Sequence, residues 1–247
     1  MSRIAWALAA GALAAGARTA VAQQPPPIPY DTFTLANGLR FIVHEDRSTP
    51  IVAVNVWYDV GSAHEPPGRS GFAHLFEHML FQETAHLGQG EFARLVREAG
   101  GTYNGTTNED RTAYFETLPS NRLNLALWLH AERMARLRVT EENFRREREV
   151  VKEERRLRVE NQPYVDGLLT LDTLAQDWPP YKHTVIGSMD DLNAATVEDV
   201  TEFYRRFYVP NNATVVVAGD ASLAEVRRLA ERFFGDIPRG PEPPELP

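Results

Sequence analysis

The sequence predicts an α+β fold, an antiparallel β-sheet with helices packed on it, and three observations lead there. A hairpin signal and an alternating strand stand near the beginning, helical periodicity fills the middle, and a short β-branched run returns near the end. With 247 residues, 43% hydrophobic and 24% charged, the chain has the apolar content for one large domain or two small ones, which argues against disorder throughout.

Residues 1–22 have the form of a secretory signal. Arg3 stands in a short n-region, residues 4–17 are apolar and rich in Ala and Leu, and Ala20-Val21-Ala22 is a small-x-small cleavage site. The run is too short and too rich in Ala and Gly to span a bilayer comfortably. Export to the periplasm or beyond is therefore expected, with cleavage before Gln23 and no stable membrane anchor afterwards. Residues 23–29, with Pro25, Pro26, Pro27 and Pro29, read as an extended leader.

The folded part is expected over residues 30–238. Residues 32–35 and 39–44 flank Asn37-Gly38, a strong hairpin signal, and residues 51–60 (IVAVNVWYDV) alternate as a further strand, so the opening is expected to be an antiparallel meander. Residues 61–71 form a loop in which Ser70 can cap a helix running to about Phe81. A second helix near residues 91–99 ends at Gly100-Gly101. Residues 102–107 are polar and contain a glycine, which suits an edge strand, and residues 111–118 alternate as its partner.

From Ser120 the period becomes helical. Leu123, Leu127, His130 and Met134 share one side of a helix to about Leu137, and Thr140-Glu141-Glu142 opens a long charged helix reaching Glu160, stopped by Asn161-Gln162-Pro163. A helix over residues 164–175 and a proline-rich loop around Trp178 follow. Thr196 to Asp199 cap a helix through Phe207, residues 213–218 (ATVVVA) form a buried strand, and a last helix over residues 223–234 closes at Gly235. Residues 239–247, with Pro241, Pro243, Pro244 and Pro247, read as a linker to a further half.

Chemistry concentrates in His74-Leu75-Phe76-Glu77-His78. On a helix, positions i, i+3 and i+4 share a face, so His74, Glu77 and His78 project together, and two imidazoles one turn apart can ligate one metal. The order His-x-x-Glu-His inverts the more familiar His-Glu-x-x-His of zinc peptidases. The absence of cysteine excludes thiolate zinc sites and disulfides, so any metal must be held by His and carboxylate. Net charge is −8, and −10 without residues 1–22, whose only charges are Arg3 and Arg18; a domain-wide basic surface for nucleic acid is excluded. No spaced glycines of a phosphate-binding loop occur. In the charged helix, Glu147, Val151 and Glu154 fall at offsets of zero, four and seven, a single stripe, and a carboxylate pair on a core-directed stripe calls for a partner. A site of two histidines and one glutamate supplies one.

These residues resemble the pitrilysin/insulinase family of zinc metallopeptidases, which includes the mitochondrial processing peptidases. The resemblance covers residues 30–238. It rests on His74 to Phe81, on Gly100 to Thr107 (GGTYNGTT), on Asp110 to Tyr114, and on Glu147-Arg148 with Val150, Val151 and Glu154. Tyr208 to Asn212 and Val217 to Asp220 extend it. It implies that His74, His78 and Glu154 bind Zn2+, that Glu77 is the base and that Glu147 is a supporting carboxylate of the catalytic site. A peptide substrate would add to the edge at residues 102–107, with contacts from Asn104, Gly105 and Phe81. Two positions depart from the family pattern: Glu83-Thr84 stands where Gly-Thr or Gly-Ser is common, and Asn104-Gly105 where Asn-Ala is common, a difference expected to cost only a methyl.

The reading that follows is the catalytic half of a two-half clamshell endopeptidase, hydrolysing peptides or unfolded segments and needing a second peptidase-like half or homologous subunit. The alternatives are a non-catalytic assembly or binding subunit of a peptidase-like complex, and a zinc hydrolase acting on something other than peptides. Intact His74, Glu77, His78 and Glu154 weigh against the first, and an edge strand suited to peptide pairing weighs against the second.

Overall fold

The computed structural model describes residues 27–244 and 246, so the secretory signal and the first part of the leader lie outside the described residues. One six-stranded sheet runs through it: β1 (Asp31–Thr34), β2 (Arg40–Glu45), β3 (Ile51–Tyr58), β4 (Thr102–Thr107), β5 (Thr112–Pro119) and β6 (Ala213–Gly219). Their order across the sheet is β1-β2-β6-β3-β5-β4.

The hairpin forms at Asn37-Gly38, but the opening meander does not. β6 lies between β2 and β3, parallel to β2 and antiparallel to β3, which makes the sheet mixed with a single parallel pair. The reason is burial. Val215 and Val217 are fully buried, and a β-branched run of this kind is best covered with a strand on each side. Skipping one strand leaves β2 and β3 about 10 Å apart, a gap that the five residues 46–50 span easily at ~3.3 Å each.

Alternation decides which face of the sheet is covered. In β3, Val52, Val54, Val56 and Tyr58 are buried, whereas Ile51 and Trp57 are exposed. The register places Tyr58 opposite Thr112, Val56 opposite Tyr114 and Val54 opposite Glu116, and sets Gly105 opposite Tyr114. The helices are α1 (Phe72–Met79), α2 (Glu91–Glu98), α3 (Leu123–Arg136), α4 (Glu141–Arg155), α5 (Val165–Ala175), α6 (Met189–Ala194), α7 (Val197–Phe207) and α8 (Leu223–Phe234); α1, α2, α3 and α8 pack against the sheet, α4 and α7 against α1, α6 against α4, and α5, without a buried residue, against the turn that follows α4. Thr140 with Asn143, and Thr196 with Asp199, form capping boxes that start α4 and α7, and Ser222 caps α8. None of the helices among the described residues is long and apolar enough to cross a membrane.

Ser70 does not cap α1. Its hydroxyl donates to Asp191 Oδ2 and accepts from Ser188 N, and the N-cap position is taken by Gly71 at φ +92°, a left-handed conformation that favours glycine. The α4 helix ends at Arg155 and continues as a π-helical turn over Arg156–Glu160. Past α8, Asn37 Nδ2 donates to Phe234 O and Ile237 O, and Asn211 binds Gly240 N and Pro241 O, so the beginning of the expected linker is tied down against the body.

Candidate active site

Helix α1 lies with its buried side, Leu75, Phe76 and Met79, in the core. Its other side turns His74, Glu77 and His78 toward α4 and β4. On α4, Glu147 and Val151 are buried on the stripe that points back at α1, and Glu154 completes that stripe. His78 Nε2 is 3.2 Å from Glu154 Oε2, and His74 Nε2 is 3.7 Å from the same oxygen. One donor atom from each of these three residues lies within 4.8 Å of the others, the sole such grouping of His, Cys, Asp or Glu among the described residues.

These spacings fit a zinc ion. Tetrahedral ligands with bonds of about 2.1 Å stand roughly 3.4 Å apart, and two imidazoles with one carboxylate are a donor set of catalytic zinc. Burial, and then the neighbouring His78, push the His74 imidazole down to about 4, so it is neutral at pH 7, the form a metal requires. Glu154 Oε1, turned away from the histidines, pairs with Arg158 Nη1 at 3.0 Å.

Glu77 stands apart from the three. Its Oε2 accepts from Thr107 Oγ1 at 2.6 Å, across from β4. Burial raises its carboxyl above the ordinary range, and the Thr107 bond opposes that shift. Glu147 faces the other nitrogen of His78: its Oε2 is 3.9 Å from His78 Nδ1, while Arg146 Nε donates to its Oε1 at 3.3 Å. A carboxylate behind a ligating imidazole orients the ring.

The remaining sequence candidates line the same cleft. Phe81 packs among Phe92, Tyr103 and Tyr114 with ring centroids about 5.5 Å apart. Asn104 is exposed on β4, and its Oδ1 accepts from Gly105 N at 2.9 Å. β4 is the last strand of the sheet, with β5 on one side and no strand on the other. Gly105 stands close to Glu77. A Cβ there would lie 3.0 Å from Glu77 Cγ and 3.1 Å from Glu77 Oε1, so a methyl would press on the proposed base. Glycine at 105 leaves room for Glu77.

Sequence reasoning missed Thr107 and Arg158 as partners of Glu77 and Glu154. It was also silent on residues 183–191, which bring Val185 and Ile186 to the cleft and Asp191 to Ser70. Of the pair Glu83-Thr84, Glu83 is the departure, and Thr84 keeps the family's hydroxyl residue in a structural role. Thr84 is buried, pairs with Leu137, donates to Glu132 Oε2 and accepts from His86 N and Leu87 N, which fixes the loop after α1.

Comparison with known proteins places the chain in a family. The family described as Insulinase (Peptidase family M16) matches residues 40–177, and the Peptidase M16 inactive domain matches residues 194–247, a stretch that contains none of the site residues above. The chain is 38% identical over 209 residues to the zinc protease PqqE of Helicobacter pylori, covering 84% of this chain and 47% of that protein. It is 27% identical over 208 residues to a probable mitochondrial-processing peptidase subunit beta of Arabidopsis thaliana, covering 84% of this chain and 39% of that protein. A crystal structure of a protease from Helicobacter pylori superposes with a TM-score of 0.83 at 36% identity, over 89% of this chain and 53% of that one. The chain thus spans about half the length of the curated relatives it matches. On its sequence and its fold alike, the chain belongs to the insulinase family of peptidases, M16.

Proposed function

We propose that this chain is the zinc-binding, catalytic half of an endopeptidase that hydrolyses peptides or unfolded polypeptide segments, with residues 30–238 forming that half. The observation that supports it most is the convergence of His74, His78 and Glu154 in one cleft, with Glu77 beside them on the same helix as the histidines and hydrogen-bonded to Thr107 of the edge strand β4.

Zinc, the metal in the names of the relatives, would be held by His74, His78 and Glu154, and when bound it supplies Lewis-acid polarisation of water and of the scissile carbonyl. The protein's own groups do the rest. Glu77, with Oε2 committed to Thr107, takes the proton of the attacking water on Oε1 and returns it to the leaving amine. A carboxyl raised by burial suits both halves of that transfer. The backbone of β4 pairs with an extended substrate, which gives affinity with little sequence demand, and Phe81 and Asn104 add side-chain contacts. Arg158 holds Glu154 and Glu147 steadies His78. Export fits the form of residues 1–22.

The deciding variant is Glu77→Gln. It should keep about one zinc per chain, because Glu77 is outside the donor set, while hydrolysis of an unstructured peptide by the assembled enzyme falls by at least ~10²-fold. Full activity in that variant would remove Glu77 from the mechanism.

A further inference from the structure

Helix α1 has eight residues, and its first N–H groups have no partner within the helix. Gly71 at the N-cap has no side chain to offer, and Ser70 is engaged with Asp191 and Ser188. Helices α4, α7 and α8 are each capped by the Thr or Ser immediately before them. For α1 the acceptor comes from further back, across the loop that contains Pro66-Pro67-Gly68. Glu65, whose side chain is wholly buried, accepts from Gly71 N with Oε2 at 2.9 Å and from Ala73 N with Oε1 at 2.7 Å. On its far side Glu65 Oε2 is 3.5 Å from His183 Nδ1.

We propose that Glu65 is a positioning residue of the metal site, holding α1 at the one rotation about its axis that brings His74 and His78 onto Glu154. The proposal rests on the reading of His74, His78 and Glu154 as the metal-binding set.

Two bonds from one rigid carboxylate to N–H groups two residues apart fix both the height and the rotation of a helix end, where a single hydroxyl cap fixes less. The side chains of a helix reach about 5–6 Å from its axis, so a 10° rotation moves a ring nitrogen by ~1 Å. Metal-ligand distances tolerate only ~0.2 Å. Ala73, whose N–H donates one of the two bonds, directly precedes His74, and His78 lies one turn further on. The far end of α1 is held more lightly: its C-cap Leu80 makes backbone bonds alone, and Tyr114 Oη donates a single long bond to Phe76 O at 3.4 Å.

Glutamine at 65 has nearly the same volume but only one acceptor oxygen; its NH2 would point at a backbone N–H, donor against donor. Glu65→Gln therefore tests geometry and leaves the packing in place. Zinc affinity is measured on the full chain by competition with a chelator, together with the melting temperature and the amide exchange of α1 in the metal-free protein. Ser222→Ala, which removes the cap of α8 away from the site, is the control for a stability loss alone. E65Q is expected to weaken zinc binding by about tenfold or more and to speed exchange across Phe72–Met79, while S222A lowers the melting temperature and leaves zinc affinity within about twofold. Should E65Q not fold, E65D, one methylene shorter and unable to reach both N–H groups, takes its place with the same expectations. A drop in melting temperature with unchanged zinc affinity would overturn the proposal and leave Glu65 a stabilising cap. If the parent chain bound no zinc, the metal reading would fall, and α1 exchange unchanged in E65Q would then refute the positioning role independently.

Discussion

Glu153 and Glu154 are neighbours in sequence with opposite surroundings. Glu154 is 17% exposed with Oε2 between two imidazoles, and Glu153 is 57% exposed and paired with Arg156 at 3.0 Å. One residue along a helix rotates a side chain by about 100°, which is enough to separate a ligand from a solvated charge. Glu154→Gln should lose zinc in metal analysis, whereas Glu153→Gln should keep it; the reverse result would put the register of α4 in error. At this scale, helical periodicity made the inward stripe of Glu147, Val151 and Glu154 legible in the sequence. It could not say which of the two acids meets the histidines, because both lie on that stripe. Thr107 was invisible for a different reason. Its bond to Glu77 joins residues 30 apart through strand register, and nothing local in GTYNGTT announces it. Arg158 was hidden in plain view, because the i,i+4 spacing from Glu154 is also that of an ordinary surface pair.

Between elements, β5 and α3 are joined by a buried polar cluster. Arg133 Nη2 donates to Glu116 Oε1 at 2.6 Å and to His130 Nδ1 at 2.8 Å, and His130 Nε2 faces the other carboxylate oxygen. The same guanidinium lies 4.2 Å from the Phe92 ring and 5.5 Å from that of Phe81, so the cluster supports the aromatic wall of the cleft. Burial alone would raise Glu116, but His130 and Arg133 outweigh it and hold the carboxyl below the ordinary range; burial lowers His130. In both cases the folded state binds fewer protons than the unfolded one, so the stabilisation is present at neutral pH and is lost on acidification. The His130 share fades as pH falls below about 6.5, and the Glu116 share below about 4.3. Glu116→Gln would leave Arg133 buried without its anion, at a cost of about 3–5 kcal/mol, and would flatten the lower part of the pH dependence. Urea midpoints of the metal-free chain between pH 8 and 3.5 check this, and a variant as stable as the parent throughout would contradict it. The sequence placed His130 on the buried side of its helix, but its partner on β5 depends on tertiary packing. The position of β6 was equally out of reach, because strand order is set by which apolar faces must be covered, and local alternation is the same in a meander and in an interleaved sheet.

At the scale of the whole molecule, the chain spans about half the length of the curated relatives it matches, and the site is an open cleft with β4 as one rim. A single wall leaves the reacting water in contact with bulk solvent and holds a peptide from one side, which forfeits both positioning and water exclusion. Helix α5 adds a second reason to expect a covering body. Leu168, Leu171 and Leu174 are exposed along one stripe with Tyr164 beside them, and contiguous apolar surface of this kind marks an interaction face. On the function proposed above, the occupant expected there is a second peptidase-like half, from the same polypeptide or a separate subunit; the relatives are about twice as long as this chain. Mixing the purified chain with a homologous second-half protein should therefore raise cleavage of an unstructured peptide by at least about tenfold, since effective positioning alone is worth that and more. It should also slow amide exchange on α5. Exchange on α5 left unchanged while cleavage rises would put the joining surface elsewhere, and rapid turnover by the chain alone, shown to be a monomer, would mean that one wall is enough.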